Sequence, residues 1–195
     1  MTAVSDDRVR CAWIDESRLS SDDFVMYRDY HDTEWGQPLR DSKALFERVT
    51  LEAFQSGLSW LIILRKRENF RRAFHRFDVE RVARYRERDI TRLMDDAGIV
   101  RNRAKIEATI ANARAVADLD VDLAELLWSF APPPRPRPAA MADVPAVTPE
   151  STAMAKELKR RGFRFVGPTT AYALMQATGM VDDHTADCWV PRTQP

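Results

Sequence analysis

From Thr50 to Leu64 the chain carries one ionisable side chain, Glu52, and the solvated run Arg65-Lys66-Arg67-Glu68 follows at once. A segment that is apolar nearly all round is a buried helix, so a carboxylate in its middle is costly unless something pairs with it. Two readings follow. Glu52 is a core carboxylate paired with an arginine from elsewhere, or it is the acceptor on the floor of a pocket with Trp60 on its wall. Trp13, Tyr27, Tyr30, Trp35 and Trp60 supply flat surfaces on which a planar ring can stack, and one acceptor reads the ring's polar edge. That combination suits an extruded nucleobase. Ordinary core packing is the competing account of the rings, and it is the one expected for Trp35.

A second group is metal-like. The chain has two cysteines and three histidines, and Cys11, His31, His184 and Cys188 fall toward its two ends. Two thiolates and two imidazoles make a closed tetrahedral zinc site, structural rather than catalytic. His184 and Cys188 stand four apart, which would put both on one helical face. Without a compact CxxC…HxxxH spacing, two buried thiols and two ordinary histidines remain the alternative. The third histidine, His75, lies among arginines and is expected at the surface.

A glycine turn feeding a helix N-terminus points backbone N–H groups outward, where an anion can sit. Gly98-Ile99-Val100, ahead of Arg101, and Phe165-Val166-Gly167-Pro168-Thr169-Thr170-Ala171 both have this form. Such contacts need few lysines, so a balance of 30 basic and 30 acidic residues is no objection to DNA. The cationic runs at 65–72 and 156–164 read as solvated faces.

The elements that must position these groups are helical. Ser21-Asp22-Asp23 starts a helix through Tyr30, and Asp41-Ser42 caps the central one. Its stripe runs Leu45, Val49, Glu52, Ser56, Ser59, Ile63, with Gly57 permitting a break or a close approach. Phe70, Phe74 and Phe77 continue a helical period, and Asp78 caps a helix through Tyr85. Further helices are expected over 88–97, 102–117, 123–130 and 151–161, and a last one starts at Pro168. Alternating β patterns are absent, so the fold class is all-α, with one domain over 11–190. Residues 1–10 read as a flexible tail, and the proline run in 132–149 as an extended surface loop acting as a connector. The N-terminus lacks an apolar signal region, and no apolar run approaches the ~18 residues of a membrane span. A cytoplasmic protein without a disulfide scaffold is expected.

Together these stretches resemble one family over Cys11 to Cys188. They are Cys11-Ala12-Trp13, Tyr30-His31-Asp32-Thr33-Glu34-Trp35-Gly36, Leu51-Glu52-x-x-Gln55-x-Gly57-Leu58-Ser59-Trp60, Arg101-x-x-x-Lys105-Ile106, Trp128-Ser129-Phe130, Arg161-Gly162-Phe163-x-Phe165-Val166-Gly167 and Asp183-His184-x-x-x-Cys188. The pattern is similar to DNA-3-methyladenine glycosylase I, the Tag-type enzymes. The resemblance implies a helix-hairpin-helix glycosylase fold with a structural zinc ion joining the termini through Cys11, His31, His184 and Cys188. It implies that Glu52 hydrogen-bonds a methylated adenine, that Tyr30 and Trp60 stack on or touch it, and that Trp13 and Tyr27 line the pocket. Leu58, with Gln55 beside it, would enter DNA where the base has left. The Gly162–Thr170 hairpin, with Gly162, Val166, Gly167, Thr169 and Thr170, would hold the phosphate backbone. The implied partner is double-stranded DNA carrying alkylated bases, bound by a monomer.

One departure stands out. The wider superfamily places a catalytic Asp in a V-D-x-H segment after the hairpin, and the Tag-type family lacks it. This chain reads Val181-Asp182-Asp183-His184. Asp182 is either a water-activating carboxylate or a bystander beside a metal ligand. The bystander reading is favoured, because such a carboxylate often orients the ligand.

Overall fold

The computed structural model describes residues 6–192, and the described residues form helices and loops without a strand. Nine α-helices run in chain order: α1 Ser21–Thr33, α2 Ser42–Gln55, α3 Trp60–Ala73, α4 Val79–Ala83, α5 Glu87–Asp95, α6 Arg103–Ala117, α7 Leu123–Trp128, α8 Pro149–Arg160 and α9 Pro168–Ala177. The all-α expectation holds. Among the described residues, no helix is long and apolar enough to cross a membrane.

Helix α2 is the axis of the molecule. Asp41 caps it by accepting from the Ala44 N–H, and α3, α6, α7 and α9 all pack against it. Burial therefore surrounds it: Leu45, Phe46, Val49, Leu51 and Phe54 are at most 1% exposed. Each such side chain contributes about 1.5–3 kcal/mol by leaving water. Arg48 and Glu52 are buried on the same helix.

The stripe expected to run on through Ser59 is broken. α2 stops at Gln55, Gly57 turns the chain at φ +79°, and α3 begins afresh at Trp60. A left-handed φ is open to glycine at no steric cost, so the sequence places the break where the chain can turn. A second interruption follows α3. His75, Arg76 and Phe77 all have φ between +51° and +55°, and this left-handed turn swings Phe77 into the core instead of extending the helix. His75 keeps part of its surface exposed, in line with the expected surface position, and also bonds the Tyr85 hydroxyl.

Helices α8 and α9 pack together across the loop 161–167, and Pro168 occupies the first turn of α9. After α9, Gly179 brings the backbone against 36–38 so closely that a Cβ would stand 2.7 Å from the Gln37 carbonyl carbon. The following segment is irregular: His184 and Cys188 sit in turns, not on a helix as their spacing suggested.

The proline-rich segment is more than a connector. Arg137 is 9% exposed, donates to Asp182 at 2.8 Å and to the Val190 carbonyl at 2.8 Å, while Arg135 donates to Asp183 and the Tyr172 hydroxyl. The segment is a strap anchored to the C-terminal turns. The expected N-terminal tail is held in part as well: Arg10 pairs with Asp32 at 2.7 Å, and the Val9 carbonyl accepts from the Trp189 N–H. Residues 1–5 lie outside the described residues.

Candidate active site and metal centre

A cavity of about 300 Å³ opens beside α2, at the lower end of the range for small-molecule pockets. Trp13, Tyr27, Tyr30, Trp35 and Trp60 form its aromatic wall, and Glu52 and Gln55 face it from α2. Met141 from the strap, with Ala173 and Gln176 from α9, completes it. The rings brace one another: Trp13 meets Tyr27 edge-on at 4.9 Å and Trp35 at 5.3 Å, and Tyr30 lies 5.5 Å from Trp60. Trp35, expected as core alone, is both 9% exposed and part of this wall.

Glu52 is 5% exposed and makes no hydrogen bond or ion pair with the described residues. The arginine expected as its competing partner is present but engaged elsewhere. Arg48, one turn earlier and 2% exposed, donates to the Tyr30 hydroxyl at 3.1 Å and to the Glu34 carboxylate. Burial pushes the Glu52 carboxyl up to about 7, with the Arg48 charge opposing it. Burial, and then the Glu52 charge, push Tyr27 up as well. The site is thus an aromatic box with one acidic group poised near neutrality, an arrangement that fits a flat cation better than a neutral ring.

The four metal candidates converge. Cys11, His31, His184 and Cys188 are all buried, and their ligand atoms lie within 4.8 Å of one another. Cys11 Sγ stands 3.6 Å from His184 Nδ1, Cys188 Sγ 3.4 Å from the same nitrogen, and Cys188 Sγ 3.6 Å from His31 Nε2. Imidazole at about 2.0–2.1 Å and thiolate at about 2.3 Å around one tetrahedral ion give N···S edges of about 3.5 Å. The residues therefore fit a cation. Each histidine is also turned by its other nitrogen, His31 Nδ1 against Asp32 at 2.7 Å and His184 Nε2 against the Trp35 carbonyl at 3.2 Å. Ligating imidazoles are held in this way. Without an ion, hydrogen bonding between the two sulfurs pushes Cys11 up and Cys188 down; a divalent charge would let both ionise.

Asp182 does not line the cavity. Its carboxylate accepts from Arg137 Nε at 2.8 Å and from the His184 N–H at 3.3 Å. Its neighbour Asp183 is buried among Tyr172, Gln176 and Arg135.

Two exposed loops are the candidate nucleic-acid contacts. Leu58 is 36% exposed at the apex of the Gly57 turn, and Gln55, at its base, also faces the cavity. In the second loop Gly162 has φ +94°, Phe165 is 43% exposed, and Val166 turns its side chain inward. Gly167 gives α9 no side-chain cap, and the N–H groups of Val166, Gly167, Thr169 and Thr170 make no hydrogen bond with the described residues. The other expected anion turn differs. The Gly98 N–H donates to Asp96 Oδ1 at 2.7 Å, and the Ile99 and Asn102 N–H groups are also taken by local acceptors. An acidic side chain there is unsuited to phosphate, so only the 162–170 loop keeps the expected form. Most arginines of the cationic runs pair with acids, Arg67 with Glu34 and Glu47 and Arg161 with Glu157 and Asp120, whereas exposed Arg164 has no side-chain partner among the described residues.

Arg48, Met141 and Gln176 were missed by reading the sequence. Arg48 lies within the helix already singled out, one turn before Glu52, and that spacing was the available signal. Met141 and Gln176 arrive from distant segments and carry no local one.

The chain matches the methyladenine glycosylase family profile over residues 20–191. It is 45% identical over 184 residues to DNA-3-methyladenine glycosylase 1 of Escherichia coli K12, covering 92% of this chain and 95% of that protein. Among solved structures, a crystal structure of 3-methyladenine DNA glycosylase I (TAG) superposes with a TM-score of 0.87 at 43% identity, over 94% of this chain and all of that one. The Staphylococcus aureus TAG, solved to explain 3-methyladenine recognition, gives a TM-score of 0.86 at 36% identity, with coverage of 95% and 98%. With the aromatic cavity, the cysteine–histidine cluster and the all-α frame in place, the chain belongs to the methyladenine glycosylase family, as a DNA glycosylase of the Tag type.

Proposed function

We propose that the protein hydrolyses the N-glycosidic bond of 3-methyladenine in alkylated double-stranded DNA, without a lyase step. The observation that carries this reading is the buried, unpaired Glu52 carboxyl on the wall of an aromatic cavity, in a chain of this family. Methylation at N3 leaves the base cationic while it is attached to the sugar. It is then a good leaving group and needs no general acid. The C1′–N9 bond breaks with its electron pair going to the base, water oxygen bonds to C1′, and the proton passes to solvent. The protein extrudes, recognises and aligns.

In this reading Tyr30 and Trp60 stack on or touch the base, Trp13 and Tyr27 line its pocket, and Glu52 accepts from the exocyclic amine or a ring N–H. A desolvated charge-assisted hydrogen bond of this kind is worth about 1.5–3 kcal/mol, so it sets selectivity against neutral adenine and supplies part of the rate. No lysine lines the cavity, in keeping with hydrolysis rather than Schiff-base chemistry. Leu58 and Gln55 fill the space the base leaves. The free amides at Val166, Gly167, Thr169 and Thr170 hold phosphate at the N-terminus of α9, making α8 and α9 a helix-hairpin-helix unit.

Cys11, His31, His184 and Cys188 hold a structural zinc ion that ties the two ends of the chain together. Bound there, the ion supplies folding free energy and no catalytic step. Asp182 is a bystander that braces His184 through its backbone. The direct test is release of free 3-methyladenine from methylated duplex DNA by the purified protein. Binding to the duplex with no released base would leave a DNA-binding module and overturn the catalytic reading.

A further inference from the structure

Helix α6 turns an apolar face to the core, yet three of its deeply buried side chains are polar: Lys105 at 7% exposure, Thr109 at 2% and Asn112 at 1%. The Thr109 hydroxyl is satisfied within the helix by the Lys105 carbonyl, whereas Lys105 and Asn112 reach outside it. Neither of these two lines the base cavity. Lys105 Nζ donates to the carbonyls of Phe54, at 2.8 Å, and Ser56, at 2.5 Å. It thereby caps the C-terminal end of α2, where carbonyls lack helical partners and a positive charge is favoured. Burial pushes the Lys105 ammonium down, so its place is costly and no carboxylate offsets it. Asn112 makes a paired contact with one residue of the 162–167 loop. Its Nδ2 donates to the Arg164 carbonyl at 3.1 Å, and the Arg164 N–H donates to its Oδ1 at 2.7 Å. The next residue, Phe165, has φ +57°. The two side chains are seven residues apart on one helix, two turns along the same face and roughly 10 Å in rise.

We infer that Lys105 and Asn112 are positioning residues through which α6 fixes the separation between the Leu58 turn and the phosphate-holding loop. This rests on the proposed function of those two loops. One loop withdraws a nucleotide from the stack and the other fixes the backbone on either side of it. Their spacing therefore sets whether the extruded sugar–base bond reaches the cavity in register. Apolar packing orders a loop through its side chains, whereas these hydrogen bonds hold the backbone carbonyls and amide of the two loops directly.

The test compares Lys105→Met and Asn112→Leu with the wild-type chain in three measurements. These are binding of free 3-methyladenine by tryptophan fluorescence, single-turnover excision from matched duplex, and excision of the same lesion opposite a missing base. Free-base binding is expected to stay within about twofold for both. Lys105→Met is expected to lose roughly ten- to a hundredfold in matched-duplex excision, the scale of an ångström-level misplacement. It should recover most of that where unstacking is cheap. Asn112→Leu is expected to raise the concentration that gives half-maximal single-turnover excision, with the maximal rate nearly kept. If Lys105→Met does not fold, Lys105→Gln, which keeps one donor, carries the same comparison. Unchanged duplex excision, or free-base binding lost in proportion to excision, overturns the positioning role. A wild-type chain that releases no base overturns the function beneath it instead.

Discussion

Arg48 and Glu52 lie one turn apart on α2, both buried, and they do not form an ion pair: the guanidinium is committed to the Tyr30 hydroxyl and the Glu34 carboxylate, and the carboxyl faces the aromatic cavity. This division of partners decides what Glu52 can do. An arginine locked onto it would neutralise it permanently. Bound to other partners, Arg48 tempers the desolvation of Glu52 through its charge alone and leaves the carboxyl able to answer an incoming cation.

Glu52→Gln should therefore weaken 3-methyladenine binding and excision by roughly ten- to a hundredfold, the equivalent of one charge-assisted hydrogen bond. The pH profile sharpens the test. With the carboxyl at about 7 in the free protein, kcat/KM of the wild type should rise with pH up to about 7 and then level, because only the ionised form answers the cation. The glutamine variant should lack that limb. An excision rate equal to wild type at pH 8 would remove Glu52 from recognition.

The same group makes an opposite demand on stability. Its folded pKa of about 7 lies above the usual 4.5, so the native state holds the proton that the unfolded chain has released. The resulting stabilisation is full below about 4.5 and disappears as pH rises through 7, by about 3 kcal/mol at most. Glu52→Gln keeps a neutral side chain at every pH. It should melt higher than the wild type at pH 8, with the gap closing toward pH 5. If Glu52 reads the base as proposed, recognition is retained against stability, and thermal melts at the two pH values measure the cost.

How much of this was legible depended on whether the signal was local. The cavity's aromatic residues and Glu52 were visible because a lone carboxylate in an apolar run breaks a pattern that burial imposes. The cysteines and histidines could be grouped because the chain has so few of them. Their geometry was not readable: His184 and Cys188 meet through irregular turns held by the strap, not along a helix. The break at Gly57 was permitted by the sequence but not required by it. The left-handed turn at His75–Phe77 had no cue, because three non-glycine residues hold positive φ only when the core around Phe77 demands it. The strap's residues were opaque for another reason: proline-rich composition says extended, and nothing in it says that Arg137 is buried or that Met141 reaches the cavity.

Metal removal should act on folding. The purified protein is expected to carry about one zinc per chain. Cys11→Ala or His184→Ala should lose it and lower Tm by about 8–16 °C, taking roughly 4 kcal/mol at 2–4 °C per kcal/mol. A catalytic ion would behave otherwise, leaving a folded, inactive protein after chelation. Metal content and melting measured on the same samples separate the two, and a chelated protein with unchanged Tm would reject the structural site.

Arg164 sits exposed beside the loop that offers free amides, with no acidic partner among the described residues. Arg164→Ala should weaken duplex binding, damaged and undamaged alike. It should also reduce the magnitude of the slope of log K against log salt by about 0.9, one phosphate contact. Free-base affinity should not move, since Arg164 is not on the cavity wall. An unchanged salt slope would place the phosphate track elsewhere.

Asp182 is the last discriminating residue. A water-activating carboxylate must reach the sugar, so it should face the cavity and keep its charge free. Asp182 instead accepts from Arg137 and from the His184 N–H, away from the cavity lining. Asp182→Asn keeps the shape and an acceptor for that N–H while removing the ion pair with a largely buried arginine. It should lower Tm by several degrees and leave single-turnover excision of 3-methyladenine within about twofold. Loss of roughly a hundredfold or more, the lower end of what a general base contributes, would make Asp182 the group that activates water.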